Sequence, residues 1–173
     1  MKSIVFFAVL LMPFKIIAQE PTLKETQAWI QDKIESYPLI SEGTDQNRFH
    51  EVDFEDGHLN IRTFNGELID DYPYRTNSIY IRDIKKVTIY LDSIVTEKGI
   101  EELGDINVTL MSIKCWSDTL AMHRNEHENI SGLCWFTILL HESFIKNDLP
   151  ERMEKAFRHL VKLHGGEMLK EVF

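Results

Sequence analysis

His123-Arg124-Asn125-Glu126-His127 places two imidazoles and a carboxylate in the H-x-x-E-H order of the inverted zinc peptidases. On a helix, His123 and His127 would hold a metal and Glu126 would activate the water bound to it. That chemistry needs a helix with a buried face and a third ligand far downstream. Asn125, Asn129 and Gly132 oppose such a helix, and the segment lacks the apolar residues that would anchor one. It reads as a solvated loop between strands. No cofactor is expected, and His123, Glu126 and His127 are the sequence's one candidate metal set.

Cys115 and Cys134 are the only cysteines. They are either a disulfide or two small buried apolar residues. If the two longest strands pair with these cysteines opposed, Ile113 faces Phe136 and Met111 faces Ile138. All three pairs then fall on one apolar face, so the register that aligns the sulfurs also builds a core. Trp116 and Trp135 stand beside the cysteines, and the same register sets Trp135 opposite Lys114 on the other face. Two readings are open for these indoles: a solvent-facing binding patch, or a surface packed under the N-terminal helix.

Asp53, Glu55, Asp56, Glu67, Asp70 and Asp71 cluster around the first two turns. Paired carboxylates can act as acid and base or bind calcium, but Asp70-Asp71 lacks the alternating oxygen ligands of a calcium loop. A solvated rim that keeps hairpin edges soluble accounts for them. His50 and His58 fall on different strands of the first hairpin, and His159 and His164 on different faces of the last helix. His164 is placed to cap the C-terminal carbonyls as a cation. Ser41-Glu42-Gly43 and Ser131-Gly132 lack the flanks of a nucleophile elbow, and neither a Walker loop nor a dinucleotide fingerprint occurs.

The elements that must position these residues follow from periodicity. Residues 22–36 read as a helix, with Thr22 and Glu25 at capping-box spacing and Leu23, Thr26, Ile30, Ile34 and Tyr37 on one stripe flanked by Trp29. Pro38 stops it. Asp56-Gly57 signals a two-residue hairpin in which Glu55 faces His58, Phe54 faces Leu59 and Val52 faces Ile61. Strands are expected at 78–82, 86–92, 106–115 and 133–141, with a short one at 119–122 and a polar connection over 95–105. Residues 149–164 form the clearest helix, with Asp148 as N-cap, Pro150 in the first turn and a stop at Gly165-Gly166. Its stripe is Leu149, Met153, Ala156, Phe157, Leu160 and Leu163.

Residues 1–18 carry an address. Lys2, an apolar run over 4–14 and a small residue at Ala18 have the layout of a secretory signal peptide, and the run is shorter than the roughly 20 residues a bilayer span needs. Its removal would leave about 155 residues, the size of one domain over 19–173. The formal charge of −9 would become about −11 once Lys2 and Lys15 are lost. Such a body repels phosphate backbones and anionic lipid heads, so nucleic acid and membrane-surface partners are not expected. Apolar and charged fractions of 43% and 27% suit a folded globular chain.

The body of about seven strands closed by a C-terminal amphipathic helix, over residues 48–164, resembles the pleckstrin-homology-like barrel. The loop that binds phosphoinositides in that class is basic, whereas here it is Glu55-Asp56-Gly57-His58, so lipid-head binding is not implied. The end of the leader (Ile16-Ile17-Ala18-Gln19), residues 22–34, and the run from Glu151-Arg152-Met153 to Gly165-Gly166 are similar to uncharacterised small secreted proteins of Bacteroidota-type bacteria. That likeness transfers no functional residue. The sequence therefore implies an α+β domain of two sheets or a partly open barrel between an N-terminal and a C-terminal helix. It implies a secreted or periplasmic, non-enzymatic binding module for a protein or small-molecule ligand. A metal-dependent hydrolase and a cell-envelope assembly factor are the alternatives.

Overall fold

The computed structural model describes residues 20–40, 47–66, 73, 75–98, 101–117 and 132–169. The expected leader, the short strand at 119–122, and His123, Glu126 and His127 lie outside these residues.

Helix α1 (Leu23–Glu35) begins at Thr22, whose hydroxyl accepts the Glu25 N–H while the Glu25 carboxylate accepts the Thr22 N–H, the reciprocal capping box. Thr26, Ile30 and Ile34 form its buried stripe. A first sheet follows from β1 (Arg48–Glu55), β2 (His58–Asn65) and β3 (Arg75–Tyr80), in that order. Asp56 and Gly57 both have positive φ, 48° and 77°, as a two-residue turn of this hand requires. The turn sets Glu55 opposite His58, Phe54 opposite Leu59 and Val52 opposite Ile61, the register expected from the apolar pattern.

A 3-10 turn at Ile81–Asp83 leads into the second sheet, β4 (Ile84–Lys98), β5 (Glu101–Ser117) and β6 (Gly132–His141). Here the polar connection expected over 95–105 is replaced by continued pairing. After an irregularity at Val95/Thr96 the ladder runs on to Lys98 opposite Glu101, so paired strands stand where a loop was expected. The β-branched residues Ile94, Val95, Thr96 and Ile106 favour extended backbone and outweigh the charges around them.

The fold is thus α+β, with six strands among the described residues where about seven were expected, and no closed barrel. The two meanders meet through a short strap. Pro38 bridges to Leu140 of β6 and Leu39 to Arg48 of β1, with Leu39 and Arg48 exchanging both backbone hydrogen bonds at 3.0 and 2.8 Å. A strap of two bridging residues between sheets is weaker than a shared ladder, so helices supply most of the closure. Helix α1 packs on β1 and on α3 (Leu149–Leu163), and α3 packs on β4. Phe157 and Leu160 of α3 are fully buried, each contributing about 2–3 kcal/mol by transfer from water.

Asp148 departs from its expected role. Its side chain makes no capping hydrogen bond, and its backbone is left-handed at φ 54°. The short helix α2 (Ser143–Lys146) ends two residues before it, and the Asp148 N–H donates to the Ile145 carbonyl. Turning from α2 into α3 demands that backbone, which forgoes the extended conformation of a side-chain N-cap. The tail beyond Gly165-Gly166 then docks. Leu169 donates its N–H to Lys85 at 2.8 Å, and Met168 is buried.

Candidate functional site

The core face of the second sheet is built from alternate residues: Met111, Ile113 and Cys115 on β5, and Cys134, Phe136 and Ile138 on β6, all buried. Cys115 stands opposite Cys134 with their Cα atoms 5.0 Å apart, and a disulfide joins them. The neighbouring positions face away from the core. Trp135 lies opposite Lys114 and Ser112 opposite Thr137, with Trp116 one diagonal step from Trp135. Across β4 the same face continues with Thr88 opposite Ser112 and Tyr90 opposite Leu110.

This outer face is uncovered by any helix among the described residues. Trp116 is 57% exposed and Trp135 60%, so of the two sequence readings the packed one fails for the described elements. Helix α1 covers β1 and α3 instead. Trp135 does not stand up from the sheet, however. Its indole N–H donates to the Ser112 hydroxyl oxygen, which also shares a hydrogen bond with Thr137 Oγ1 at 3.2 Å. Ser112 lies one pleat along the sheet and its hydroxyl sits close to the backbone, so the indole must lie along the surface to reach it. Ser112 is consequently only 5% exposed although it belongs to the outer face. Trp135 is thus 60% exposed with its indole N–H tied to Ser112, while the disulfide joins the same two strands on the opposite side of the sheet.

His50 is the clearest internal polar site. It is 5% exposed. Its Nε2 contacts the Leu139 carbonyl of β6 at 2.9 Å and its Nδ1 the Thr63 hydroxyl of β2 at 3.1 Å. A carbonyl only accepts, so Nε2 carries the proton and Nδ1 accepts from Thr63. Burial holds the imidazole below its usual pKa, with the positive charge of Arg48 acting in the same direction and the Leu139 hydrogen bond opposing. His50 is therefore a neutral latch between the two sheets. Nothing in the sequence pattern distinguished it from a surface histidine.

The other residues singled out by sequence are dispersed. Asp53, Glu55 and Asp56 are exposed on the hairpin rim, while Glu67, Asp70 and Asp71 lie outside the described residues. His58 stacks on Tyr80 with ring centroids 3.9 Å apart, and Arg82 approaches the same tyrosine ring. His159 Nε2 bonds the Pro21 carbonyl at 2.8 Å, tying α3 to the start of α1. His164 is not the cationic cap expected of it. Its ring packs towards Gly57, burial lowers its pKa, and its buried Nε2 has no hydrogen-bond partner. Among the described residues no group of three or more His, Cys, Asp or Glu side chains is gathered as a metal site.

One feature has no sequence signal at all. An open depression of about 580 Å³ lies between the end of α1, the strap and the start of α2, lined by residues that include Lys33, Tyr37, His141 and Ser143. Ser143 Oγ lies 2.7 Å from His141 Nδ1, which also accepts the Ser143 N–H at 3.2 Å. A serine beside a histidine suggests a nucleophile and base, but that chemistry requires a third group to orient the imidazole. No carboxylate hydrogen-bonds His141 among the described residues, and the i, i+2 geometry serves to start α2.

Comparison with family models, with curated proteins and with solved structures finds no match. No helix among the described residues is long and apolar enough to cross a membrane.

Proposed function

We propose that this chain is a secreted or periplasmic binding module without enzymatic activity, which presents the outer face of β4–β6 to its ligand. The observation that carries the reading is the pair of exposed indoles on that face, one of them held flat by Ser112. Large aromatic side chains left in water at 57% and 60% exposure contribute little to folding and much to contact when covered. The disulfide between Cys115 and Cys134 supports an oxidising compartment, in keeping with the leader expected over residues 1–18. The pleckstrin-homology-like likeness belongs to the same proposal at the level of element order only. Its lipid-head chemistry is not carried over, because the first hairpin turn is acidic.

The test separates contact from scaffold. The double variant Trp116→Ala/Trp135→Ala should unfold in urea within about 1 kcal/mol of the parent, since neither side chain is in the core. Acrylamide should quench both indoles in the parent. A loss of about 3–5 kcal/mol, the cost of truncating a core tryptophan, would make the face structural and end the binding reading.

A further inference from the structure

Resting on the binding-face reading above, we infer that the ligand of this face is an uncharged glycan built of pyranose rings. A tryptophan that anchors a protein partner inserts into a pocket on that partner. Trp135 instead lies along the sheet with its N–H committed to Ser112, leaving a flat π surface and no unused donor on the ring. What such a surface recognises is a second flat surface whose edge atoms are weakly positive. The C–H face of a pyranose has that character, and its hydroxyl rim needs donors and acceptors around the ring. Here these are the Lys114 ammonium directly opposite Trp135, the Thr137 hydroxyl and the Thr88 hydroxyl on the same face. Trp116, one diagonal step away at roughly 7–8 Å between backbone positions, offers a second stacking position for a neighbouring sugar.

Charge removes the competitors. The face itself carries Lys86 opposite Lys114, but the chain's formal charge of −9 repels polyanions at range, which weighs against nucleic acids and acidic polysaccharides. A second copy carries the same net charge and would bring its own Lys114 to the shared face. A neutral chain of rings meets neither penalty. The platform is also stiff. The disulfide spans β5 and β6 on the underside between the two tryptophans, and Ser112 is held by Thr137, so little ordering is required on binding.

The experiment is affinity electrophoresis of the full chain in gels containing hydroxyethylcellulose, laminarin, mannan or alginate, followed by calorimetry with the neutral glycan that retards it. The expected result is retardation by at least one neutral polysaccharide, insensitive to 0.5 M salt. Trp135→Ala and Trp116→Ala should each weaken the affinity at least tenfold. Ser112→Ala should weaken it severalfold and lower the fluorescence anisotropy of the released indole. Retardation by alginate alone, no retardation by any neutral glycan, or unchanged binding in both tryptophan variants would overturn the proposal. So would sedimentation as a dimer that Trp135→Ala dissociates, because the face would then belong to a second copy. The urea result for the double variant and the acrylamide result for the parent stand apart from these outcomes. A stable double variant, quenchable indoles in the parent and no glycan binding by the parent would sink the glycan while leaving the binding face intact.

Discussion

Replacing His50 with leucine tests the latch between the two sheets. The change conserves most of the volume, so the cavity contribution is small, and the effect is confined to polar contacts. Two hydrogen bonds are lost, from Nε2 to the Leu139 carbonyl and from the Thr63 hydroxyl to Nδ1. At about 1 kcal/mol per bond, with about 1–2 kcal/mol more for leaving a largely buried carbonyl unpaired, His50→Leu should destabilise by about 2–4 kcal/mol at pH 7.5. The readout is urea unfolding followed by tryptophan fluorescence and circular dichroism. A pH series sharpens it. The folded-state pKa of His50 lies below its ordinary value of 6.5, so between those two values the unfolded chain binds more protons than the folded one. Stability from this group is therefore intact above pH 6.5 and falls as the pH drops towards the folded pKa, by at most about 1.4 kcal/mol per unit. His164, also lowered by burial, titrates in the same sense in both proteins and cancels in the comparison. The gap between parent and variant should consequently narrow from pH 7.5 to 5.5. A variant within 0.5 kcal/mol of the parent at pH 7.5, or a gap that is unchanged at pH 5.5, refutes the latch (both thresholds being on the order of assay error).

Two further perturbations probe other joints of the fold. Cys115→Ala/Cys134→Ala opens a loop with a sequence separation of 19, which should cost about 3 kcal/mol in urea under oxidising conditions and nothing in dithiothreitol. Peptide mapping without reduction should recover Cys115 linked to Cys134, and free thiols in protein from an oxidising compartment would contradict it. Gly166→Ala would set a Cβ 2.3 Å from the Arg82 carbonyl oxygen and 2.8 Å from its Cα, both backbone atoms, so the chain must move. We expect a loss of about 1–3 kcal/mol and faster hydrogen exchange at the Leu169 amide that bonds Lys85. Unchanged exchange there would mean the tail is not docked as described.

Local chemistry was sufficient for several elements. The capping box at Thr22 and Glu25 set the start of α1, and Pro38 followed its end, because both act within one turn of the chain. Asp56-Gly57 determined the register of β1 and β2, since a two-residue turn leaves only one alignment of the apolar pairs. The same alternation aligned Cys115 with Cys134 and sent Trp135 to the opposite face from them. What the alternation left open was whether anything covers that face, and this depended on where α1 packs.

Other features needed the assembled chain. Asp148 has an N-cap's composition but a left-handed backbone, because α2, which the periodicity did not announce, is separated from α3 by only two residues. His50 became a latch because the strap at Pro38 and Leu39 brings β6 alongside β1, setting a carbonyl 89 residues away beside its ring. The flat pose of Trp135 required a hydroxyl at Ser112 on another strand. Sequence determined each element and the pairing of adjacent strands, because periodicity and turns operate over a few residues. Tertiary structure alone decided which polar groups lost water and which aromatic rings kept it, because that depends on surfaces meeting from distant parts of the chain.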